Sequence, residues 1–528
     1  MDEVPGSVDV VETSDVKRLH QLGYAQELKR GMGSFSNFAV SFSIISILTG
    51  GITTYYLGMD AGGPFDITTG WLIVGALTLC VGLGMAEICS AYPTAGGLYY
   101  WSARLAEKNK AAWSWSCGWF NLVGQVAVTA SIDYGLATYV GFLISLYNGG
   151  FHNNVRWTLL FYAIVLIAHG TLNTFRVQLV SMISNVSAWW HLIGTIVIVG
   201  CLLIIPSHHQ SVSFLFHHEN LTGWTGPFAG FYAFAIGLLL AQYTLTGYDA
   251  SAHMTEETKG AAISGPKSLV RAIYISIIAG FILNLAMTLA IQGGQKEYEA
   301  VAFGGSTAGG QIFVDAITGP GGKLLVVLAT IAMFFCGLAS VTANSRMIYA
   351  FSRDGAIPGH RLWHRLHPTT RTPVNAVWLA VSAAFVLGIP SLYQVGGYSA
   401  AFFAIVSIGT VGLYIAYVIP VFLRLRLGSR FQAGPWSLGK WSKPIGIIAC
   451  IWVIIITILF FAPEFYPWTT AADFNWAGPA FVGVMAAVFI WYGVSAKNWF
   501  TGPRVQGDEA TLEKIEQEYS AGIVPVED

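Results

Sequence analysis

Charged residues are scarce in this sequence. Asp, Glu, Lys and Arg make up 10% of the 528 residues, and 54% are hydrophobic, whereas a soluble globular protein carries about 25% charged residues. Too few polar side chains remain to cover a water-soluble surface. The formal net charge is −1, and the basic residues form no long cluster. We therefore expect no nucleic-acid partner.

Cysteine pairs and the common catalytic motifs are missing as well. The six cysteines include no Cys-x-x-Cys pair, which argues against a disulfide framework and against a zinc site. The sequence also has no HExxH or GxSxG motif, so an intramembrane hydrolase would lack its metal ligands or its nucleophile. We therefore predict no enzyme, no metal site and no cofactor.

Long apolar runs, by contrast, are abundant. A helix that crosses a bilayer needs about 20 mostly apolar residues, and twelve such runs are separated by polar, Gly-rich or Pro-rich breaks. The sequence therefore predicts an all-α integral membrane protein with twelve transmembrane helices in a lipid bilayer. The predicted spans are centred near Ile47, Leu79, Val128, Leu166, Ile196, Leu239, Ile282, Phe334, Ala384, Ile408, Ile455 and Ala487.

The distribution of Lys and Arg predicts the orientation. One set of alternate connections holds 24 of the 27 basic residues, and the other holds only Arg156, Lys296 and Lys323. Because positive residues stay on the cytoplasmic side, we expect both termini to be cytoplasmic. The tail after the last span contains DEATLEKIEQEYS at residues 508–520. That stretch can form a short charged helix, but we interpret it as a solvated tail.

Two of the apolar spans contain the same interruption. The tripeptide LTG occurs at residues 48–50 in span one and again at residues 245–247 in span six. In hydrocarbon, an unwound turn is tolerated only where it lines a cavity or a water-filled path. Matched interruptions in two halves are typical of transporters built from inverted repeats, whose site lies near the membrane midplane. The alternative is that these glycines only allow close helix packing.

A broken helix offers two kinds of polar group to a ligand. Freed amides at the start of one half-helix bind an anion such as a carboxylate, and freed carbonyls at the end of the other half bind a cation. A zwitterion satisfies both groups. The residues themselves therefore favour an amino-acid-like substrate.

Four longer motifs carry a family resemblance. They are LGYAQELKR at residues 22–30, AEICSAYPTAGGLYYW at 86–101, TGYDASAHMTEETKGA at 246–261 and ANSRMIYAFSRDGAIPGHRLWHRL at 343–366. From about Leu22 to Trp499 the chain resembles the amino acid–polyamine–organocation superfamily. It looks most like the amino acid/choline transporter branch, particularly the plant bidirectional amino-acid transporters, also described as GABA permeases. The resemblance implies a LeuT-like fold of two inverted five-helix repeats plus two extra helices.

The implied organisation has three parts. A cytoplasmic N-terminal segment covers residues 1–34, the transporter domain covers 35–499, and a cytoplasmic tail covers 500–528. Within the transporter domain we expect the first repeat at about 35–206, the second at about 227–426 and the extra helices at about 444–499.

The resemblance also implies a substrate site at the break in span one. There it places a carboxylate-binding loop at Thr49, Gly50 and Gly51. The carbonyl group of Ser46 is expected to face the amine of the substrate.

Spans six and three are expected to complete this site. The matching carbonyls on span six belong to Tyr243 and Thr246, next to Gly247. The Tyr243 ring also occupies the place of the aromatic gate that covers the substrate in the family. Gln125 on span three falls where relatives often place a polar side chain against the substrate.

Ionisable residues deep in a membrane are functional candidates. Glu87, near the cytoplasmic end of span two, is expected to cap or pair at the inner mouth. Asp133 could meet a substrate ammonium or be satisfied by neighbouring hydroxyls, and His191 is interpreted as a hydrogen-bonded core histidine. Asp249 matches the acidic residue of the family's Gly-aromatic-acid motif, so it is the strongest candidate for a gating or proton-linked group.

The resemblance gives little sign of ion coupling. Some bacterial relatives hold a proton-coupling lysine on span five, and Asn185 stands in that place, where it cannot carry the charge. Sodium-driven relatives use paired hydroxyls on span eight, but Ser340 and Thr342 are two residues apart and point to different helix faces. We therefore expect uniport or exchange, with proton-coupled symport as an alternative.

The sequence thus predicts alternating-access transport of amino acids such as GABA, alanine, and basic or acidic amino acids. A channel is one rival, because Gly-rich breaks also build selectivity filters. A choline or polyamine transporter is another, although choline lacks the carboxylate that the amides of residues 49–51 would bind. With no presequence visible, we favour the plasma membrane over a mitochondrial or Golgi membrane. We make no prediction of the oligomeric state.

Overall fold

The computed structural model describes residues 7–175, 177–393, 400–468 and 474–521. These residues form helices, and the one strand-like pairing among them is the isolated bridge between Met32 and Thr258. The prediction of an all-α fold is thereby confirmed. The outermost residues of the two predicted terminal segments, 1–6 and 522–528, lie outside the described residues, as does Arg176 of the orientation count.

Within the described residues, eleven helices are long and apolar enough to cross a membrane, and the shorter apolar helix Ala229–Thr244 stands at the place of predicted span six. Every predicted centre falls inside one of these twelve segments. In chain order, spans one to five are Ser34–Thr53, Asp66–Ala91, Lys110–Tyr147, Val155–Asn173 and Leu179–Ile204. Spans seven to twelve are Ala261–Leu289, Pro320–Arg353, Val374–Leu392, Phe402–Arg430, Gly439–Phe461 and Ala477–Val494.

Shorter helices connect or flank the spans. They are Ser7–Leu22 before span one, Tyr55–Ala61 after it, Gly97–Leu105 after span two, Gln295–Ala302 and Ala308–Ala316 after span seven, His360–Trp363 after span eight, and Glu509–Ser520 in the tail.

Spans one and six are both broken, as the repeated tripeptide predicts. In span one, helix Ser34–Ile45 ends before a turn, and a helix resumes at Gly50–Thr53. In span six, helix Leu239–Thr244 is followed by non-helical residues up to Ala250–His253. Gly247 lies in this stretch with φ of +97°, a conformation that glycine adopts without strain.

Spans three and ten pack with their backbones in contact. A Cβ atom at Gly412 would lie 2.9 Å from the Cα atom of Gly124, and a Cβ atom at Gly124 would lie 2.7 Å from the amide nitrogen of Leu413. These glycines therefore serve close packing. Their role differs from that of the glycines at the two breaks.

The last two spans lie at the periphery. Ile454, Ile458 and Ile490 are 62%, 62% and 65% exposed. An apolar surface of this kind suits contact with lipid tails, which require no polar partners.

The tail is docked, so the interpretation of a solvated tail was wrong. Helix Glu509–Ser520 begins after Asp508, whose carboxylate accepts a hydrogen bond from the amide of Thr511. Leu512 and Tyr519, seven residues apart on one face of this charged helix, are buried. The Glu516 carboxylate lies 2.7 Å from the His20 imidazole of the N-terminal helix.

Candidate functional site

The two breaks meet at a central cavity. If Gly50 carried a Cβ atom, that atom would lie 2.7 Å from the Thr244 hydroxyl oxygen, so the half-helices of spans one and six touch there. The cavity is lined by Ile44, Ile45, Thr49, Gly50, Val128, Ile132, Tyr243, Thr244, Thr246 and Cys336. Four of the sequence-predicted substrate residues are thus brought together: Thr49, Gly50, Tyr243 and Thr246.

This cavity is very small. Its free volume is about 10 Å³, which is room for about one water molecule. An amino acid does not fit without movement of the surrounding spans.

The loop of span one is satisfied internally in this conformation. The Ser46 carbonyl accepts hydrogen bonds from the amides of Thr49 at 2.9 Å and Gly50 at 3.0 Å, which uses both of its lone pairs. Gly51 does not line the cavity: a Cβ atom there would lie 3.8 Å from the side-chain oxygen of Asn284 on span seven. For these groups to meet a substrate, the loop must rearrange.

Tyrosines of span ten support the break in span six. The Tyr414 hydroxyl donates to the Leu245 carbonyl at 2.7 Å, and the Gly247 amide donates to the Tyr417 hydroxyl oxygen at 3.3 Å. Backbone groups freed by the unwound turn thus find partners inside the protein, as a membrane interior demands. The sequence analysis missed both tyrosines, and their spacing of three in an apolar helix was the one available signal.

The Tyr243 ring lines the cavity, and its hydroxyl donates to the Ser131 hydroxyl of span three at 3.0 Å. Gln125, predicted to contact the substrate, is not among the lining residues. Its side-chain amide donates to the Asp249 carboxylate at 2.8 Å.

Asp249 connects three spans from a fully buried position. One carboxylate oxygen accepts from the amides of Asn121 at 3.1 Å and Gln125 at 2.8 Å, and the other accepts from the Tyr417 hydroxyl at 2.7 Å. The His253 imidazole lies 3.4 Å away. A carboxylate with these donors from spans three and ten can hold span six against both.

The other two candidate carboxylates, Glu87 and Asp133, have partners outside the cavity lining. Glu87 pairs with Arg424 of span ten at 3.1 Å. Asp133 lies 3.1 Å from the imidazole of His169 on span four, a partner that the sequence analysis did not identify. Neither carboxylate is among the residues that line the central cavity.

The hydroxyls of span eight face different neighbours. Ser340 contacts the Thr129 hydroxyl of span three at 2.8 Å, whereas Thr342 donates to Asn173 of span four at 2.6 Å. They therefore do not form the paired hydroxyls of a sodium site, which agrees with the expectation from their spacing.

A larger cavity opens at the end of the molecule opposite the helices Ser7–Leu22 and Glu509–Ser520, which we call the outer end. Its volume is about 430 Å³, and its lining includes Tyr134, Asn153, Asn154, Thr158 and Thr307. This outer vestibule lies between the far end of span three, the start of span four and the connection that follows span seven.

The end that holds helices Ser7–Leu22 and Glu509–Ser520, which we call the inner end, is closed by ion pairs. Arg346 contacts Glu257 at 2.7 Å, and Arg353 contacts Glu256 at 3.1 Å. All four side chains are buried. They connect span eight to the segment that follows the break in span six.

The N-terminal segment and the tail meet this closure at Asp354. Its carboxylate accepts hydrogen bonds from the Tyr24 hydroxyl at 3.0 Å and from the Arg504 amide of the tail at 3.0 Å. Burial raises the pKa of both Tyr24 and Asp354, and the positive charge of Arg353 acts in the opposite direction on each pKa.

Comparison with known proteins agrees with this architecture. Residues 32–489 match a family model described as amino acid permease. The chain is 43% identical to "Amino-acid permease BAT1" of Arabidopsis thaliana, over 94% of this chain and 97% of that protein. It is also 43% identical to "Amino-acid permease BAT1 homolog" of Oryza sativa, over 92% and 95%. "Amino-acid permease 2" of Neurospora crassa is 27% identical over 96% and 92%.

Proposed function

The chain belongs to the amino acid permease family and transports amino acids across a membrane that it spans many times, and we propose that the central cavity between spans one and six is its substrate site. In this proposal, transport proceeds by alternating access. Both termini lie in the cytoplasm, and the membrane is the plasma membrane.

The observation that carries the proposal is the meeting of two broken helices at one cavity. Thr49 and Gly50 come from the break in span one, and Tyr243 and Thr246 come from the edge of the break in span six. When the loop releases the amides of Thr49 and Gly50 from the Ser46 carbonyl, those amides can bind a carboxylate. The released carbonyl can accept from an ammonium group. Together they fit the two charges of GABA, alanine or another amino acid.

The two ends of the molecule support alternating access. We infer that substrate enters through the outer vestibule, while the buried ion pairs close the inner end. Substrate entry from outside would open the cavity, and release inside would require the inner ion pairs to separate. Uniport or exchange is the favoured mode, because Asn185 replaces the lysine of proton-coupled relatives and the hydroxyls of span eight face different spans.

A choline or polyamine carrier is the second candidate. Its substrates carry permanent or multiple positive charges, which buried sites normally balance with carboxylates. Among the described residues that line the central cavity, none is acidic. This lining fits a zwitterion better than a polycation.

The test is uptake into vesicles that contain the purified full-length protein. We would compare labelled GABA, alanine, arginine, glutamate, choline and spermidine, and then measure counterflow by preloading the same compound. The proposal expects saturable uptake of one or more amino acids, accelerated by internal substrate. Flux that does not saturate would indicate a channel, and uptake confined to choline or spermidine would contradict the proposed substrate class.

A further inference from the structure

A buried chain of polar groups leads from span five to the central cavity. It begins at the Ser187 carbonyl, which lies 2.8 Å from Nδ1 of His191. Nε2 of the same ring lies 2.7 Å from the Ser46 hydroxyl, and that hydroxyl lies 2.6 Å from the Thr49 hydroxyl. None of these four residues is more than 2% exposed.

The donor and acceptor properties of these groups fix the direction of each hydrogen bond. A carbonyl oxygen only accepts, so Nδ1 of His191 must carry the proton, and Nε2 of the neutral ring is then an acceptor. The Ser46 hydroxyl must therefore donate to Nε2. With its hydrogen used there, the Ser46 oxygen must accept from Thr49, so the Thr49 hydrogen points away from the cavity.

The neutral form of His191 is the one that its surroundings support. The Phe42 ring packs edge-on against the His191 ring, with 6.1 Å between the ring centroids. The Ser187 hydroxyl lies 3.4 Å from Nδ1 of His191. The nearby titratable thiol of Cys336, on span eight, directs its hydrogen to the Ile44 carbonyl. Within the described residues no carboxylate pairs with His191, and a buried charge without a counter-ion is costly.

The other hydroxyls that line the cavity are also donors to groups elsewhere. Thr244 donates to the Leu240 carbonyl and Thr246 to the Gln242 carbonyl, each at 2.8 Å, and Tyr243 donates to Ser131. The side chains therefore present lone pairs to the cavity. Thr244 and Thr246 are fixed by carbonyls of their own helix, whereas the direction of Thr49 depends on His191.

We propose that His191 is a positioning residue for substrate selection: through Ser46 it keeps the Thr49 hydroxyl an acceptor that recognises the ammonium group of the amino acid. The proposal rests on the proposed function of the central cavity and adds a determinant of selectivity to it. Without an acceptor at position 191, the Ser46 and Thr49 hydroxyls are free to rotate. The Thr49 hydrogen can then point into the cavity, where it opposes an ammonium group.

The experiment compares each amino acid that the vesicles carry with the hydroxy acid in which a hydroxyl replaces the ammonium group. Lactate is the partner of alanine, and 4-hydroxybutyrate is the partner of GABA. Apparent affinity for the amino acid and inhibition by the hydroxy acid are measured for His191→Leu, Ser46→Ala and the double variant. Thr195→Ala is the matched control, because the Thr195 hydroxyl donates to the backbone carbonyl of His191 at 2.7 Å and does not contact its ring.

We expect His191→Leu and Ser46→Ala each to weaken amino-acid affinity about tenfold, the scale of one hydrogen bond to a charged group, with less than a twofold change for the hydroxy acid. Both substitutions interrupt the same series of hydrogen bonds. The double variant should therefore lose no more amino-acid affinity than the more impaired single variant. His191→Gln offers an amide oxygen near the position of Nε2, so it should restore most of the discrimination. Thr195→Ala should keep the wild-type discrimination.

The outcomes distinguish failure of the proposed function from failure of the role proposed for His191. If the wild-type protein carries no amino acid, the proposed function fails. If it does, equal losses for the amino acid and its hydroxy acid, or additive losses in the double variant, would show that His191 only supports packing. Should His191→Leu not reach the vesicles, Ser46→Ala and His191→Gln still decide the question.

Discussion

The two ends of the molecule are built in opposite ways. Buried charges close the inner end, where Arg346 pairs with Glu257 and Arg353 pairs with Glu256. The outer end holds a vestibule of about 430 Å³ lined by hydroxyl, amide and aromatic side chains. Among the described residues that line this vestibule, none is charged.

This difference indicates which end of the protein is harder to open during transport. Separating a buried ion pair leaves charges that need water or new partners, so the inner end resists opening until other contacts supply the energy. The described residues that line the outer vestibule form no such ion pair. We infer that the empty protein favours the conformation that is closed inside, and that bound substrate drives the inner pairs apart.

The breaks of spans one and six lie between these two ends and connect them. Gly50 touches Thr244 at the centre, and Asp249 ties span six to spans three and ten. A substitution at the centre should therefore impair opening at both ends. A substitution at one end should instead change the relative populations of the conformations that are open outside and open inside.

The largest expected effect comes from Gly50→Val. A Cβ atom at this position would lie 2.7 Å from the Thr244 hydroxyl oxygen and 2.9 Å from its Cα atom, so the two breaks could not meet. We expect counterflow to be abolished while the protein still reaches the membrane. At Gly483 on span twelve, a Cβ atom would have no described neighbour within 4 Å, so Gly483→Val should retain wild-type counterflow.

Gly51→Val sharpens this assignment. Its Cβ atom would meet only Asn284 at 3.8 Å, an ordinary contact, so the loss should be smaller than for Gly50→Val. Equal inactivation by both substitutions would show that the carboxylate-loop assignment extends to Gly51. Near-normal counterflow in the Gly50→Val variant would contradict the proposal that substrate binds in the central cavity between spans one and six.

Breaking the inner closure should have the next largest effect. Arg346→Ala leaves the Glu257 carboxylate buried without its partner, which costs about 3–5 kcal/mol. We expect a lower unfolding temperature in detergent and a shift towards the conformation that is open inside. Arg346→Ala combined with Glu257→Ala removes both charges and should recover part of the stability. Additive losses in the double variant would mean that the two side chains act independently.

Asp249→Asn should slow exchange without preventing binding. The substitution keeps the shape of the side chain but removes the charge that accepts from Asn121, Gln125 and Tyr417. If Asp249 couples the two conformations by 1–3 kcal/mol, exchange should fall about 5- to 150-fold. Exchange that keeps its rate at fixed pH but loses its pH dependence would instead indicate a proton carrier. Wild-type exchange with unaltered pH dependence would leave Asp249 as a structural acceptor.

Tyr243→Ala should mainly weaken substrate binding from the outer side, because only the ring at the cavity is lost. We expect an apparent affinity about tenfold lower, on the scale of burying one aromatic side chain, with a near-normal maximal rate. Tyr243→Phe keeps the ring and loses the bond to Ser131, so its affinity should fall less. An unchanged affinity in the alanine variant would show that the ring does not contact substrate.

The smallest effect should come from the docked tail. Glu516→Gln weakens the contact with His20, a partly exposed pair of the kind that contributes about 0–1 kcal/mol. Because the tail lies against the inner closure, we expect an exchange rate raised by no more than about fivefold. A loss of exchange in this variant would show that the tail is needed for folding or for the cycle itself.

The spans and the breaks could be predicted from the sequence because they follow from local composition. Twelve apolar runs mark the twelve segments, and the LTG tripeptides at 48–50 and 245–247 mark both interruptions. A resemblance to a known family then placed Thr49, Gly50, Tyr243 and Thr246, which the structure brings to one cavity.

Partners from distant parts of the chain could not be predicted in the same way. Gln125 was expected at the substrate but contacts Asp249, since the rotation of span three is set by its packing against span ten at Gly124 and Gly412. Similarly, the tail helix is rich in charged residues, and only the spacing of Leu512 and Tyr519 gave a hint of its docking. Such contacts depend on the arrangement of spans, which local periodicity does not contain.

Cys336 provides the most direct test of alternating access, because this native thiol lines the central cavity. A variant that keeps Cys336 and has serine at the other five cysteine positions would be exposed to a membrane-impermeant thiol reagent from either side of the vesicles. The account predicts that Cys336 reacts from both sides and that a saturating carried amino acid, such as alanine, protects it. Labelling from one side only, or labelling that the amino acid leaves unchanged, would contradict a central site with alternating access.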